Sequence, residues 1–141
     1  MKKNALIKIV GRQKYGLDSD KIEMTTVGTI EETDDCYILR YNEEQEPPQK
    51  PLRTKLTISK DEQKVELMRT GDYSSLLVVE RSKRNLCNYG TGYGDILMGI
   101  YGKNIDNCFE NGKGTFSFGY DIDVNGALTS ENEVKLTVRI N

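Results

Sequence analysis

Apolar and polar residues alternate with a period of two over most of the chain, and helical periodicity is nearly absent, which predicts an all-β protein. The alternation is cleanest in residues 114–124. There Phe116, Phe118, Tyr120, Ile122 and Val124 fall on one face and Thr115, Ser117, Gly119, Asp121 and Asp123 on the other. The last segment repeats the pattern, with Val134, Leu136, Val138 and Ile140 inward against Lys135, Thr137 and Arg139 outward. The two segments are expected to pair.

Their connection contains Asn125-Gly126, the dipeptide of a tight hairpin turn. A plain two-residue turn pairs residues whose numbers sum to 251, which sets Glu133 beside Phe118 and turns half of the apolar set the wrong way. A sum of 252 sets Phe118 opposite Val134 and Phe116 opposite Leu136. An odd-length loop or a β-bulge is therefore expected between the two strands.

Weaker alternation runs through Ile22, Met24, Thr26, Gly28 and Ile30, then Leu52, Thr54, Leu56 and Ile58, then Val65, Leu67 and Arg69. Residues 6–10, 36–41, 76–79 and 96–101 carry apolar residues at both parities, as strands buried on two sides do. Turn-forming residues break the chain at 15–20, 33–35, 43–51, 60–62, 71–74, 82–85 and 106–112. The expectation is an all-β, antiparallel up-and-down barrel of about nine or ten strands, a single domain over residues 1–141. The 43–51 break holds every proline of the chain and is expected to be an extended surface loop, since proline cannot donate to a ladder.

Charge narrows the partners. Lysine plus arginine number 20 against 22 acidic residues, so a net charge of -2 offers no global attraction to nucleic acid or to acidic membranes. No stretch reaches the roughly 20 apolar residues of a membrane helix, and Lys8 interrupts the apolar run that follows Lys2 and Lys3, so a cytoplasmic location is expected. Cys36, Cys87 and Cys108 are odd in number and widely spaced, and they read as reduced thiols with no disulfide framework or zinc site.

Candidate chemistry is sparse. Asp121-Ile122-Asp123-Val124-Asn125-Gly126 matches the first half of an EF-hand loop, but its twelfth position is Asn132 where calcium needs a bidentate glutamate. The two aspartates read instead as the solvent face of a strand, with Asn125-Gly126 as its turn. Gly90-Thr91-Gly92-Tyr93-Gly94 has the glycines of a phosphate cradle without the helix that would complete one, and it reads as a bend. Tyr73, Tyr89, Tyr93 and Tyr101, interleaved with Arg81, Lys83 and Arg84, read as ordinary strand residues and not as a stacking platform for single-stranded nucleic acid. There is no histidine, which excludes Ser-His-Asp and Cys-His nucleophile activation, and no carboxylate pair stands out, so no catalytic residue, metal ligand or cofactor is assigned. Arg69 continues the inward face of Val65 and Leu67, where a guanidinium can anchor a carboxylate or phosphate at a barrel mouth. The structural alternative, a snorkelling side chain or a pair with a carboxylate of the protein, is favoured, because a buried unpaired charge is too costly.

The strand order and several short motifs resemble the YwiB-like family, small bacterial domains of unknown function with a calycin-like, lipocalin-like barrel. The resemblance rests on Tyr41-Asn42-Glu43-Glu44, Thr54, Leu67-Met68-Arg69-Thr70-Gly71, Tyr89 followed by Gly94, and Gly114 leading into residues 116–121. The proline-rich loop and Gly90-Thr91-Gly92 depart from it. It implies a closed barrel and brings no activity, cofactor or catalytic residue. By analogy with calycins, the leading expectation is a non-catalytic barrel that binds a small apolar or amphipathic ligand, lined by Arg69, Phe116, Phe118 and Tyr120. The competing expectation is a structural or protein-interaction module presenting residues 43–51, because bulky inward residues can fill a barrel of this size.

Overall fold

Ten antiparallel strands close a barrel in the computed structural model, which describes residues 2–43, 48, 50–71, 74–91 and 94–141, with backbone alone for 89–91, 94 and 95. The strands are β1 (Lys2–Tyr15), β2 (Asp18–Glu32), β3 (Cys36–Glu43), β4 (Leu52–Ser59), β5 (Lys64–Thr70), β6 (Ser75–Glu80), β7 (Arg84–Thr91), β8 (Gly94–Glu110), β9 (Lys113–Val124) and β10 (Ala127–Ile140). Each neighbours its successor, and β1 closes on β10, so the meander is up-and-down throughout.

The C-terminal hairpin shows how a pattern of side chains sets a register. Asn125 (φ 55°) and Gly126 (φ 85°) form a two-residue turn, and Ala127 and Leu128 pair with Val124 and Asp123 as that turn dictates. The register then shifts between Leu128 and Ser130, after which Val134 faces Phe118 and Leu136 faces Phe116. Tight turn and bulge thus coexist, and the bulge returns the apolar set to the interior.

Two expectations need correction. Residues 106–110 belong to β8, which runs to Glu110, and the turn is confined to Asn111 (φ 56°) and Gly112 (φ 77°). Turn-prone Asp106 and Asn107 stay in the strand because they pair with Ser117 and Phe116, next to the fully buried Ile105. The segments with apolar residues at both parities are not buried on two sides. Leu77, Val79, Met98 and Ile100 pack into or against the core, whereas Leu76, Leu97 and Tyr101 are exposed on the outer wall.

The core occupies one half of the barrel. Tyr37, Phe109 and Phe116 meet there with ring centroids 5.0–5.7 Å apart, among fully buried Ala5, Ile7, Leu39, Val65, Ile105 and Val138. The far end is pinned by Arg81, whose Nε donates to the Glu62 carbonyl and whose Nη2 donates to the Ile105 carbonyl, and by Asn107, whose Nδ2 donates to the Ser59 carbonyl. The up-and-down order sends the β1–β2, β3–β4, β5–β6, β7–β8 and β9–β10 connections to the opposite end. That end is the mouth.

Candidate functional site

The inward parity of three neighbouring strands lays a row of polar groups across the mouth. Tyr41 on β3 is the Cα partner of Thr54 on β4, which is the partner of Arg69 on β5. Each is reached by continuing an apolar inward face: Leu39 to Tyr41, Leu56 back to Thr54, Leu67 to Arg69. Glu43, two residues after Tyr41, joins the same face and takes the guanidinium, with Arg69 Nε donating to Oε2 at 3.1 Å and Nη2 to Oε1 at 3.4 Å.

The environment fixes the protonation of this row. Burial works against the Arg69 charge, but the charge and hydrogen bonds of Glu43, with Tyr41 and Tyr120 nearby, more than offset it and hold its pKa above the ordinary value. Burial, reinforced by the Glu43 carboxylate, pushes the Tyr41 phenol far above its usual range, so it stays a neutral donor. Thr54 Oγ1 is buried without a hydrogen-bond partner among the described residues. Across the barrel, buried Asn132 on β10 donates from Nδ2 to Ser130 Oγ at 3.0 Å and is the Cα partner of Tyr120 on β9.

Apolar side chains line much of the space around these groups. A cavity of 520 Å³ is lined by Leu67, Arg69, Leu77, Met98, Tyr120 and Ile122, with Cys87 and the polar residues Gln13, Asn88, Asn132 and Glu133 also around it. A second space of 300 Å³ shares Gly11, Ile22, Leu67, Arg69, Tyr120 and Val134 with the first and adds Phe118, Met24, Tyr41 and Glu43. The volumes lie in the range that accommodates a small molecule. Polar groups that fix an orientation, set in apolar walls, can hold an amphipathic molecule by its head and its body.

Of the four residues read from sequence as a lining, the structure brings three together. Arg69, Phe118 and Tyr120 border the 300 Å³ space, and the Phe118 and Tyr120 rings stack with centroids 6.0 Å apart. Phe116 lies in the filled half, fully buried against Tyr37 and Phe109. Glu43, Tyr41, Thr54 and Asn132 join the site without a motif in the sequence that marks them as site residues. The period-two run Tyr37, Leu39, Tyr41, Glu43 carried a usable signal for two of them, while Asn132 reaches the site only through the bulge that resets β10.

The other sequence motifs are placed as follows. Asp121 pairs with Lys103 Nζ at 2.8 Å and Asp123 with Arg84 Nη2 at 2.9 Å, both aspartates standing on the outer parity of β9. Gly92 and Tyr93 of the glycine-rich run, Tyr73, and most of the proline-rich loop lie outside the described residues.

A family model described as Domain of unknown function (DUF1934) matches residues 7–136. The chain belongs to the DUF1934 family. The match takes in every residue of the mouth cluster from Tyr41 to Asn132. The crystal structure of ywiB protein from Bacillus subtilis superposes on this DUF1934 chain with a TM-score of 0.85, covering 99% of this chain and 93% of that one at 18% sequence identity. At that identity the likeness is one of fold, and it bears out the YwiB-like resemblance and the ten-stranded up-and-down barrel. No curated protein matches the chain.

Proposed function

We propose that this DUF1934 protein is a non-catalytic barrel that binds a small amphipathic molecule in its open half. The observation that carries this reading is the inward Arg69–Glu43 pair, set beside Tyr120 at the edge of a cavity with both apolar and polar walls. Glu43 engages Arg69 through Nε and Nη2, and a guanidinium has five N–H donors, so the hydrogen-bonding head of a ligand finds donors there. Its apolar body lies along Leu67, Leu77, Met98, Ile122 and Val134.

The test is native mass spectrometry of protein purified from cells, followed by titration with a fluorescent hydrophobic probe. One molecule per barrel is expected. Leu77→Trp, which puts a bulky ring into the cavity, is expected to weaken probe binding by at least about tenfold, equivalent to about 1.4 kcal/mol. A protein that carries no small molecule and leaves the probe in water at all concentrations overturns the reading.

One observation favours a second reading, a protein-interaction module. Met68, Leu76, Leu86 and Leu97 are exposed on the outer wall of β5–β8, with Met68 directly opposite Leu76. Specific capture of a protein partner that is lost in Leu86→Lys, by a barrel that binds no probe, selects this reading over the first.

A further inference from the structure

Among the described residues, β2 has one edge that the barrel uses only in part. Its inner edge pairs with β1 along the whole run from Asp18 to Glu31. Its other edge pairs with β3 only where Thr29–Glu32 meet Tyr37–Arg40. At Gly28 an added Cβ would run into the Arg40 carbonyl oxygen, and from there toward the mouth the ladder between the two strands ends. Among the described residues, nothing pairs with the outer edge of residues 18–27.

The hairpin fixes which groups face that edge. Tyr15 pairs with Asp18 across the two-residue turn Gly16-Leu17, so even-numbered residues of β2 exchange hydrogen bonds with β1. The odd-numbered set, Ser19, Lys21, Glu23, Thr25 and Val27, aims its N–H and C=O groups outward. The parity persists to Thr33, whose N–H donates to the Cys36 carbonyl at the β2–β3 turn. A long open edge is a template for another strand, and Ile22 within it is 68% exposed.

We infer that this edge pairs antiparallel with the same edge of a second copy, Ile22 facing the partner's Ile22, to join two barrels by a two-fold axis. Such an axis, perpendicular to the shared sheet, sets one residue opposite its own copy. Centring on Lys21 or on Glu23 opposes like charges, and centring on Met24 drives Asp18 and Ser19 onto Ile30 and Thr29, of which β3 already pairs both. Centring on Ile22 lays residues 18–26 against themselves, wholly within the open run. Lys21 then faces the partner's Glu23 twice over. Lys21 stands directly opposite Arg12 of β1, so the partner's Glu23 meets two cations, and Lys21, which holds Glu23 of its own strand at 2.8 Å, can exchange it for the partner's. The partner strand lies across the gap between Ile22 and Met24 of β2 and Tyr41 and Glu43 of β3, and so walls the 300 Å³ space on its open side.

In this register Ile22 and the partner's Ile22 form a non-hydrogen-bonded pair, with Cα atoms about 4.5 Å apart, within disulfide reach. Light scattering on the eluting protein is expected to give the mass of a dimer. Ile22→Cys is expected to form a covalent dimer on mild oxidation, with the bond mapped to position 22 by mass spectrometry. Thr25→Pro removes one N–H of the open edge while sparing the β1 ladder, and is expected to yield a monomer with an unchanged circular dichroism spectrum. Glu23→Lys is expected to break the dimer, and Lys21→Glu combined with Glu23→Lys to restore it. A monomeric mass up to about 0.1 mM, a dimer that survives both Thr25→Pro and Glu23→Lys, or a dimer in which Ile22→Cys does not cross-link overturns the inference.

Discussion

Arg69 and Glu43, 26 residues apart in sequence, close a two-point ion pair inside the barrel mouth, Nε to Oε2 at 3.1 Å and Nη2 to Oε1 at 3.4 Å. The strand between them, β4, contributes no charge to the pair; its Thr54 lies beside Arg69 as its Cα partner. The pair is what allows a charged residue to continue the apolar inward face of β5.

Removing one member leaves the other half-buried and unpaired. Arg69→Leu and Glu43→Gln are each expected to destabilise the fold by about 1–2 kcal/mol, below the 3–5 kcal/mol of a fully buried pair because Arg69 is one-third exposed. The double variant is expected to lose less than the sum of the two. Urea unfolding of the four proteins measures the coupling, and additive losses would show that the pair contributes nothing beyond its separate residues.

Thr129 is the residue by which β10 gains one position on β9. Its side chain is exposed, so Thr129→Ala is expected to stay within about 0.5 kcal/mol of the parent. Deleting Thr129 removes the extra residue and with it the bulge, so that a plain two-residue hairpin keeps Val134 opposite Phe118 and Leu136 opposite Phe116, and the variant is expected to fold cooperatively. Thermal unfolding followed by circular dichroism checks both variants, and a deletion variant that loses its cooperative transition refutes the reading of Thr129 as the one residue that the bulge absorbs.

Tyr41 supplies a pH dependence. Its folded pKa lies above the ordinary value of 10.0, chiefly through burial and then through Glu43, so the folded chain holds a proton that the unfolded chain releases. The stabilisation is complete below about pH 10 and declines as pH rises above it. Stability measured from pH 8 to 11 is expected to fall less steeply in Tyr41→Phe than in the parent. Identical slopes would place the phenol in contact with solvent.

Where the inward residues are uniformly apolar, local alternation carries the fold. The faces of β9 and β10, the need for a bulge between them and the closed up-and-down barrel all follow from side chains that must share one interior. The same logic put Arg69, Phe118 and Tyr120 inside, and all three border one space.

Alternation does not say how deep along the barrel an inward residue sits. Phe116 and Tyr120 share a face, yet one is sealed among rings at the filled end and the other stands in the mouth. That depth depends on the stagger of strands far apart in sequence, as does the meeting of Glu43 with Arg69. Nor does it say where a strand loses its neighbour. The period of two makes residues 18–27 an ordinary β2, and only the end of the β3 ladder at Thr29 leaves their outer edge without a strand partner among the described residues. Parity is a property of each strand alone and was legible in the sequence, whereas stagger, cavity and open edge arise from closing ten strands on one another and were decided by the tertiary structure.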